Sequence, residues 1–532
     1  MKNKKSSAVK TVIFMMAVTV FSKVLGMLRG ILLASAYGTG MEATAFSTAS
    51  RIPLSFFDIL FGSAILGCFI PVYNSLIVYK KAENGEGSTA DHENADRFAC
   101  VFFNFVLLAT GILCILGIIF SDTLIFLIAS ELDGSSFALA SRLLKIMLPM
   151  IALAGSSYTL VGILQSKGNF IVPAIISAVS NLCVILYFLL FDGFFGITGL
   201  AVAYLLSWFV QFLTLAVPLF KMGFKFRAVF DPRTPGFFRS LKMAPKVMAG
   251  SWLIPFSVLI GLDFALKTGV EGAVPAFEYA NTLFTMAAGI LTHSICNYVF
   301  PSLSDKASHN EVTSFAKDAS KALFTVVALV IPAACALFIL SPNVISVMYM
   351  RGEFDVYSCD TVSSVFTALI PGMISFSVIE VMSRCFYALG NGTLPAIASL
   401  IGIGVNYISA YLFVEAGNLP VFSVGLSVAL AFTFSAVFLI ISGAVRIKGL
   451  FSLNQIPDLI KLIVSALLSS VIMTVVLKLL NISYSSDGFV LNFICCAVTF
   501  ISGMVSYIVF SLILHEKLIS ELFSGVFHKL KS

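Results

Sequence analysis

The sequence predicts an all-α polytopic membrane protein of about fourteen transmembrane helices, and three observations carry that expectation. Of 532 residues, 59% are hydrophobic and 11% charged, against about 25% charged in an average soluble domain. Apolar stretches longer than about 18 residues recur to the C-terminus, each long enough to cross a bilayer as a helix. None alternates with period 2 over ~10 residues, as the strands of a membrane barrel would. A soluble globular enzyme is excluded.

Taken in order, the spans fall at 11–36, 44–74, 98–120, 140–165, 170–191, 196–220, 241–266, 273–300, 318–341, 357–388, 394–415, 420–445, 457–480 and 488–514. The first is about 25 residues long and more spans follow, so it reads as a retained helix rather than a signal peptide. With the N-terminus inside, the segments "MKNKKSSAVK", "KMGFKFRAVFDPRTPGFFRSLKMAPK", "SDKASHNEVTSFAKDASK", "RIKG" and the tail "HEKLISELFSGVFHKLKS" are cytoplasmic, and only Lys267 and Arg351 fall in outer loops. This matches the positive-inside rule and puts both termini in the cytoplasm. Removing or adding one span would spoil it. The loop "KKAENGEGSTADHENADR" reads as solvated and flexible.

Spans 4–6 and 10–12 are related. "LPMIALAGSSYTLVGILQSKGNFIVPAI" resembles "IPGMISFSVIEVMSRCFYALGNGTLPAI" at an offset of 222. Pro149 matches Pro371, Gly168 matches Gly390, Asn169 matches Asn391, and Pro173-Ala174-Ile175 match Pro395-Ala396-Ile397. Gly199-Leu200 and Gly425-Leu426 follow. The alternative is convergent loop chemistry, a Gly-Asn turn and then Pro at a helix start. Six spans separate the copies, so they point the same way. That predicts parallel six-helix lobes around a cavity, at 1–220 and 221–450, with two additional helices and a cytoplasmic tail at 451–532.

Charge inside the spans is the functional signal. Lys23 lies about 18 Å along the first span, near mid-bilayer, where a cation costs roughly 2.5–3.5 kcal/mol. Arg29 lies about 9 Å further and some 240° round the helix. Arg51 precedes Pro53, which predicts a broken helix in span 2. One reading is internal pairing with Glu42, Asp58, Asp263 or Glu278. The other is an anion site, for which Arg supplies a planar fork matched to phosphate. Gly26 and Gly30 suit close helix packing or access for a bulky ligand. Glu380 and Arg384 have the spacing of an intrahelical ion pair, and His293 reads as a satisfied helix histidine or a proton site. The ten cysteines form no metal-binding spacing and read as small apolar packing residues. No G-x-x-x-x-G-K-[ST] loop or catalytic constellation is present, and the +6 net charge needs no nucleic acid.

Several stretches resemble the MurJ (MviN) family within the MATE-like flippase superfamily. They are "FSKVLGMLRGILLASAYGTGMEATAFSTASRIP", "FIPVYNS", "YANTLFTMAAGIL", "FPSLS" and "FYALGNGTLP". The resemblance covers most of the chain. It implies fourteen spans, no enzymatic activity, and flipping of lipid II, the undecaprenyl-diphosphate-linked peptidoglycan precursor, across the bacterial cytoplasmic membrane. It assigns substrate contact to Arg29 and to Lys23, where an Arg is usual, and a lipid-tail groove to spans 13 and 14. Some members use sodium, with Asp263 the matching acid on span 7 and Asn406 on span 11 a weaker match. The chain departs from the pattern in four places. Thr44 stands for Asp, Gly30 for the acid after Arg29, Phe57-Asp58 for arginines, and Thr282 for Arg.

Together these readings give an alternating-access flippase, driven by membrane potential or an Na+ or H+ gradient. Lys23, Arg29 and Arg51 would hold the diphosphate, and the isoprenoid tail would stay in lipid. Glu42, Asp58, Asp263, Glu278 and Asn406 would serve as cavity acids or coupling groups. The remaining readings are a flippase of another lipid-linked glycan, a MATE-like exporter of organic cations, and a non-transporting cell-wall scaffold.

Overall fold

The computed structural model describes residues 2–81, 88–91, 93–309, 311–451, 455–485 and 488–516. Most of the cytoplasmic tail expected after 514 lies outside these residues. Packing divides the chain into two units, Met1–Asp263 and Phe264–Ser532.

The first unit contains α1 (Lys2–Tyr37), α2 (Met41–Phe57), α3 (Ser63–Ser75), α4 (Glu93–Ile119), α5 (Ser121–Ile128), α6 (Gly134–Met147), α7 (Met150–Ser166), α8 (Ile171–Leu190), α9 (Asp192–Lys221), α10 (Phe237–Ala249) and most of α11 (Leu253–Lys267). The second contains α12 (Ala273–Ser308), α13 (Val312–Ile339), α14 (Ser341–Tyr349), α15 (Val356–Leu369), α16 (Gly372–Ala388), α17 (Thr393–Ala410), α18 (Phe422–Arg446), α19 (Ile456–Leu480) and α20 (Phe489–Ile513). These helices overlap all fourteen predicted stretches. Among the described residues, ten are long and apolar enough to cross a membrane, or twelve if two bent pairs each count as one span. The charged loop after α3 contains a short antiparallel hairpin, β1 (Val78–Lys81) with β2 (Ser88–Asp91). Residues 82–87 and 92 lie outside the described residues.

Each unit is built on aromatic and small residues. In the first, Phe69 stacks on Tyr73 and Phe98 and meets Phe102, joining α3 to α4. A second core gathers Phe46, Leu144, Ile151 and Tyr187 between α2, α6, α7 and α8. In the second, Phe284 stacks on Phe432 at 5.8 Å while Phe376 meets both edge-on. The two C-terminal helices dock on α13 and α14. The Tyr507 hydroxyl donates to the Ala328 carbonyl at 2.9 Å, and Asn343 Nδ2 donates to Asn492 Oδ1 at 3.0 Å. Leu467, Val471, Ile501 and Val505 remain exposed on α19 and α20. An exposed apolar face is what a lipid-facing surface requires.

The repeat has a matched geometry in its two copies. Pro149 and Pro371 sit at the N-caps of α7 and α16. Gly168 and Gly390 both take positive φ, 82° and 72°, a backbone region glycine enters without a Cβ clash. The same closing bonds follow: Asn169 N–H to Leu164 O and Asn391 N–H to Phe386 O, both 2.8 Å. The pattern also extends one helix further back than the sequence comparison reached. Asp133 caps α6 through the Ser136 amide at 2.7 Å, and Asp355 caps α15 through the Ser358 amide at 2.8 Å. These pairs keep the offset of 222. Hydrogen bonds from Ser136 and Ser358 hold both carboxyls below the usual carboxylate range.

Candidate functional site

The cations of the first unit occupy three different settings. Lys23 is exposed on α1. Arg29 is half-buried, with its guanidinium over the ring of Tyr204 on α9, 5.3 Å from the centroid. Phe46 of α2 holds that ring edge-on at 5.1 Å. Neither Lys23 nor Arg29 forms an ion pair with a described carboxylate of its unit. Arg51 differs: its charge acts on Asp58, about two turns along, and Tyr158 of α7 feels the same carboxylate. A carboxylate of its own span therefore acts on Arg51, whereas neither α1 cation pairs with a described carboxylate of its unit.

α1 is positioned by a buried amide. Asn181 of α8 donates Nδ2 to the Ser22 carbonyl at 3.1 Å, and a Cβ at Gly26 would come within 3.3 Å of that nitrogen. Gly26 thus serves close packing. Gly30 has nothing within 4 Å of a built Cβ, so the second glycine faces open space.

Span 2 is irregular, but not where Pro53 predicted. Helix α2 continues through Pro53 to Phe57, and the irregularity is a π-helical segment, Asp58–Gly62. A π segment shifts the hydrogen-bond register and frees carbonyls downstream of the proline. The Ile59 carbonyl accepts from the Trp252 indole N–H at 2.8 Å. Trp252 lies at the 51° bend between α10 and α11. Trp252→Phe keeps an aromatic face for Phe256 and removes this bond. It is expected to destabilise the folded protein by about 1–2 kcal/mol, read as a lower thermal transition of the purified protein. An unchanged transition would mean that another donor satisfies Ile59.

The remaining candidates are dispersed. Glu42 is exposed at the start of α2, near Tyr37, whose hydroxyl donates to Asp192 at 2.6 Å. Glu278 is buried in α12. Asn406 is fully buried and accepts from the Ser427 hydroxyl at 3.0 Å, which makes it a polar contact between α17 and α18. The Asp263 carboxylate accepts from Ser130 Oγ at 3.4 Å. Among the described residues, no group of three or more His, Cys, Asp or Glu could hold a metal ion.

The expected Glu380–Arg384 contact is redirected. His293 Nδ1 lies 3.6 Å from Glu380 Oε2, and Arg384 sits over the Phe300 ring at 5.6 Å. Packing of α12 on α16 supplies nearer partners than the helix's own next turn. The cysteines are all free, and most are buried. Tyr204, Tyr158 and Trp252 were missed because nothing in their local sequence separates them from ordinary core aromatics.

Comparison with known proteins places these features in a family. The family model described as "Lipid II flippase MurJ" matches residues 33–524. A probable lipid II flippase MurJ of Bdellovibrio bacteriovorus is 26% identical over 412 residues, 76% of each chain. One from Buchnera aphidicola subsp. Acyrthosiphon pisum is 26% identical over 483 residues, covering 89% of this chain and 91% of the relative. A solved lipid II flippase MurJ in an inward closed conformation superposes with TM-score 0.78 at 22% identity, covering 95% of this chain and all of the other. An inward-facing multidrug-resistance MATE transporter shares the fold at TM-score 0.64 and 18% identity, over 82% of this chain and 98% of its own. The chain is a multi-pass membrane protein that belongs to the MurJ family of lipid II flippases.

Proposed function

We propose that this chain carries lipid II across the bacterial cytoplasmic membrane by alternating access, with both termini on the cytoplasmic side. The observation that carries the reading is the pair Lys23 and Arg29. Two cations in an apolar helix, with no described carboxylate of their unit paired to them, are expensive unless an anion compensates them. A diphosphate is such an anion, and the Arg29 fork can donate two hydrogen bonds to it. Arg51 contributes a weaker attraction because Asp58 already offsets it. The isoprenoid tail would run along the exposed apolar faces of α19 and α20. Membrane potential or an ion gradient would drive the cycle, since one charge through 100 mV is worth about 2.3 kcal/mol. The test is flipping of labelled lipid II in proteoliposomes, with rescue of a host depleted of its own lipid II flippase. Absence of both activities from a folded, membrane-inserted protein would sink the reading.

A further inference from the structure

A cavity of about 440 Å³ opens in the first unit between the start of α4 and the chain leaving α9, remote in sequence from Lys23 and Arg29. Its wall follows from local geometry. Helix α9 ends at Lys221, and just beyond it Gly223 takes φ 80° and Phe224 N–H bonds back to Leu219 O at 3.1 Å. Phe224 is buried. The next residues are clamped along α4 by their carbonyls: Cys100 donates to Lys225 O, and Asn104 Nδ2 donates to Arg227 O and Val229 O at 2.8 and 2.9 Å. An extended run has period 2. Phe226 therefore packs on Phe103 and Phe224, while Lys225, Arg227 and Val229 line the cavity.

The opposing carboxylates are mostly committed. Asp96 accepts from the Tyr73 hydroxyl at 2.6 Å and from Lys167 Nζ at 3.0 Å, and Asp231 pairs with Arg97 at 3.0 Å. Glu93 stands on the wall as well. Lys225 and Arg227 are exposed and form no ion pair among the described residues. Residues 221–246 carry seven Lys and Arg against one acid. Phe220, Met222, Phe230 and Phe238 are exposed beside them. Cations interleaved with exposed aromatics mark a membrane interface.

We propose that this cavity binds the phosphate of a lipid headgroup in the cytoplasmic leaflet, with Lys225 and Arg227 as the binding residues. It rests on the flippase reading for its side of the membrane, and there it would collect a diphosphate lipid before transport. Each cation near an anionic surface is worth about 1 kcal/mol, so the pair can bias which headgroups gather at this mouth.

The experiment compares wild type, Lys225→Gln/Arg227→Gln and Arg446→Gln, each as full-length protein in phosphatidylcholine nanodiscs. Retention of added undecaprenyl diphosphate or phosphatidylglycerol is measured by native mass spectrometry, with soluble pyrophosphate as competitor. The double variant is expected to retain about thirtyfold less phosphate lipid, and Arg446→Gln to match wild type. A larger loss of undecaprenyl diphosphate identifies the diphosphate lipid as ligand. An equal or larger loss of phosphatidylglycerol identifies bulk anionic lipid, and displacement by pyrophosphate shows that the headgroup alone suffices. Unchanged retention of both lipids, or an equal loss in Arg446→Gln, overturns the proposal. Unchanged retention alongside normal flipping leaves the transport reading standing. Failure of wild type to flip lipid II, with the phosphatidylglycerol effect intact, sinks that reading and keeps the cavity.

Discussion

Arg29→Ala is expected to abolish lipid II flipping in proteoliposomes while leaving insertion and folding intact. The guanidinium is half-buried over Tyr204 and has no ion-pair partner among the described carboxylates of its unit, so its removal orphans no described buried acid. On the proposed function, what it removes is the cation that would hold the phosphate in a low-dielectric setting. Losing one partner of such a charge pair costs about 2–5 kcal/mol, which is roughly thirtyfold to several-thousandfold in binding. Arg29→Lys keeps the charge and loses both the planar fork and the stacking on Tyr204, so it should fall between. Lys23→Arg should be tolerated, since Lys23 is exposed with room for the longer side chain. Normal flipping by Arg29→Ala at wild-type protein levels would show that the cation serves neither substrate nor transport.

Gly425→Ala is expected to be the most damaging small substitution for folding in the second unit. A Cβ at Gly425 would lie 2.6 Å from the Val365 carbonyl oxygen. That atom is backbone in the middle of α15 and cannot turn aside, so α15 and α18 must separate. Overpacking of this kind costs about 1–3 kcal/mol, and the adjoining contacts with Ala368 and Leu369 loosen with it. The expected readout is a lower thermal transition and reduced monodisperse yield after detergent extraction. Gly30→Ala is the control, because nothing lies within 4 Å of its Cβ. Equal stability of the two variants would mean that α15 and α18 are not packed as described.

The helices were legible because hydropathy in a membrane protein is nearly a one-dimensional signal. Their overlap with every predicted stretch follows from that. The repeat was legible where chemistry forces residue identity: glycine at positive φ in Gly168 and Gly390, proline at a helix start in Pro149 and Pro371. It was illegible at Asp133 and Asp355, because the helices that follow share few side chains and a lone Asp has no contrast in a pairwise comparison. Span 2 misled in the other direction. Pro53 was the visible breaker, yet the register shift settled at Asp58–Gly62, where Trp252 from the distant bend between α10 and α11 could satisfy the freed carbonyl. Within the candidate site, the cations announced themselves by their cost in an apolar helix. Tyr204 and the Glu380–His293 contact depend on which helices meet, and neither pairing is written in local spacing.

The paired caps at Asp133 and Asp355 also bear on how the chain is made. Each begins a stretch whose stops and starts are closed by nearby residues: Asp to Ser three positions on, a proline at the bend, and a glycine-asparagine turn, all within about forty residues of emerging chain. Such a hairpin can leave the insertion machinery with its polar ends already satisfied, without waiting for helices not yet synthesised. Two copies give the polypeptide two such anchors, one in each unit. The later helices, α19 and α20 among them, can then be added against a neighbour that already holds its shape.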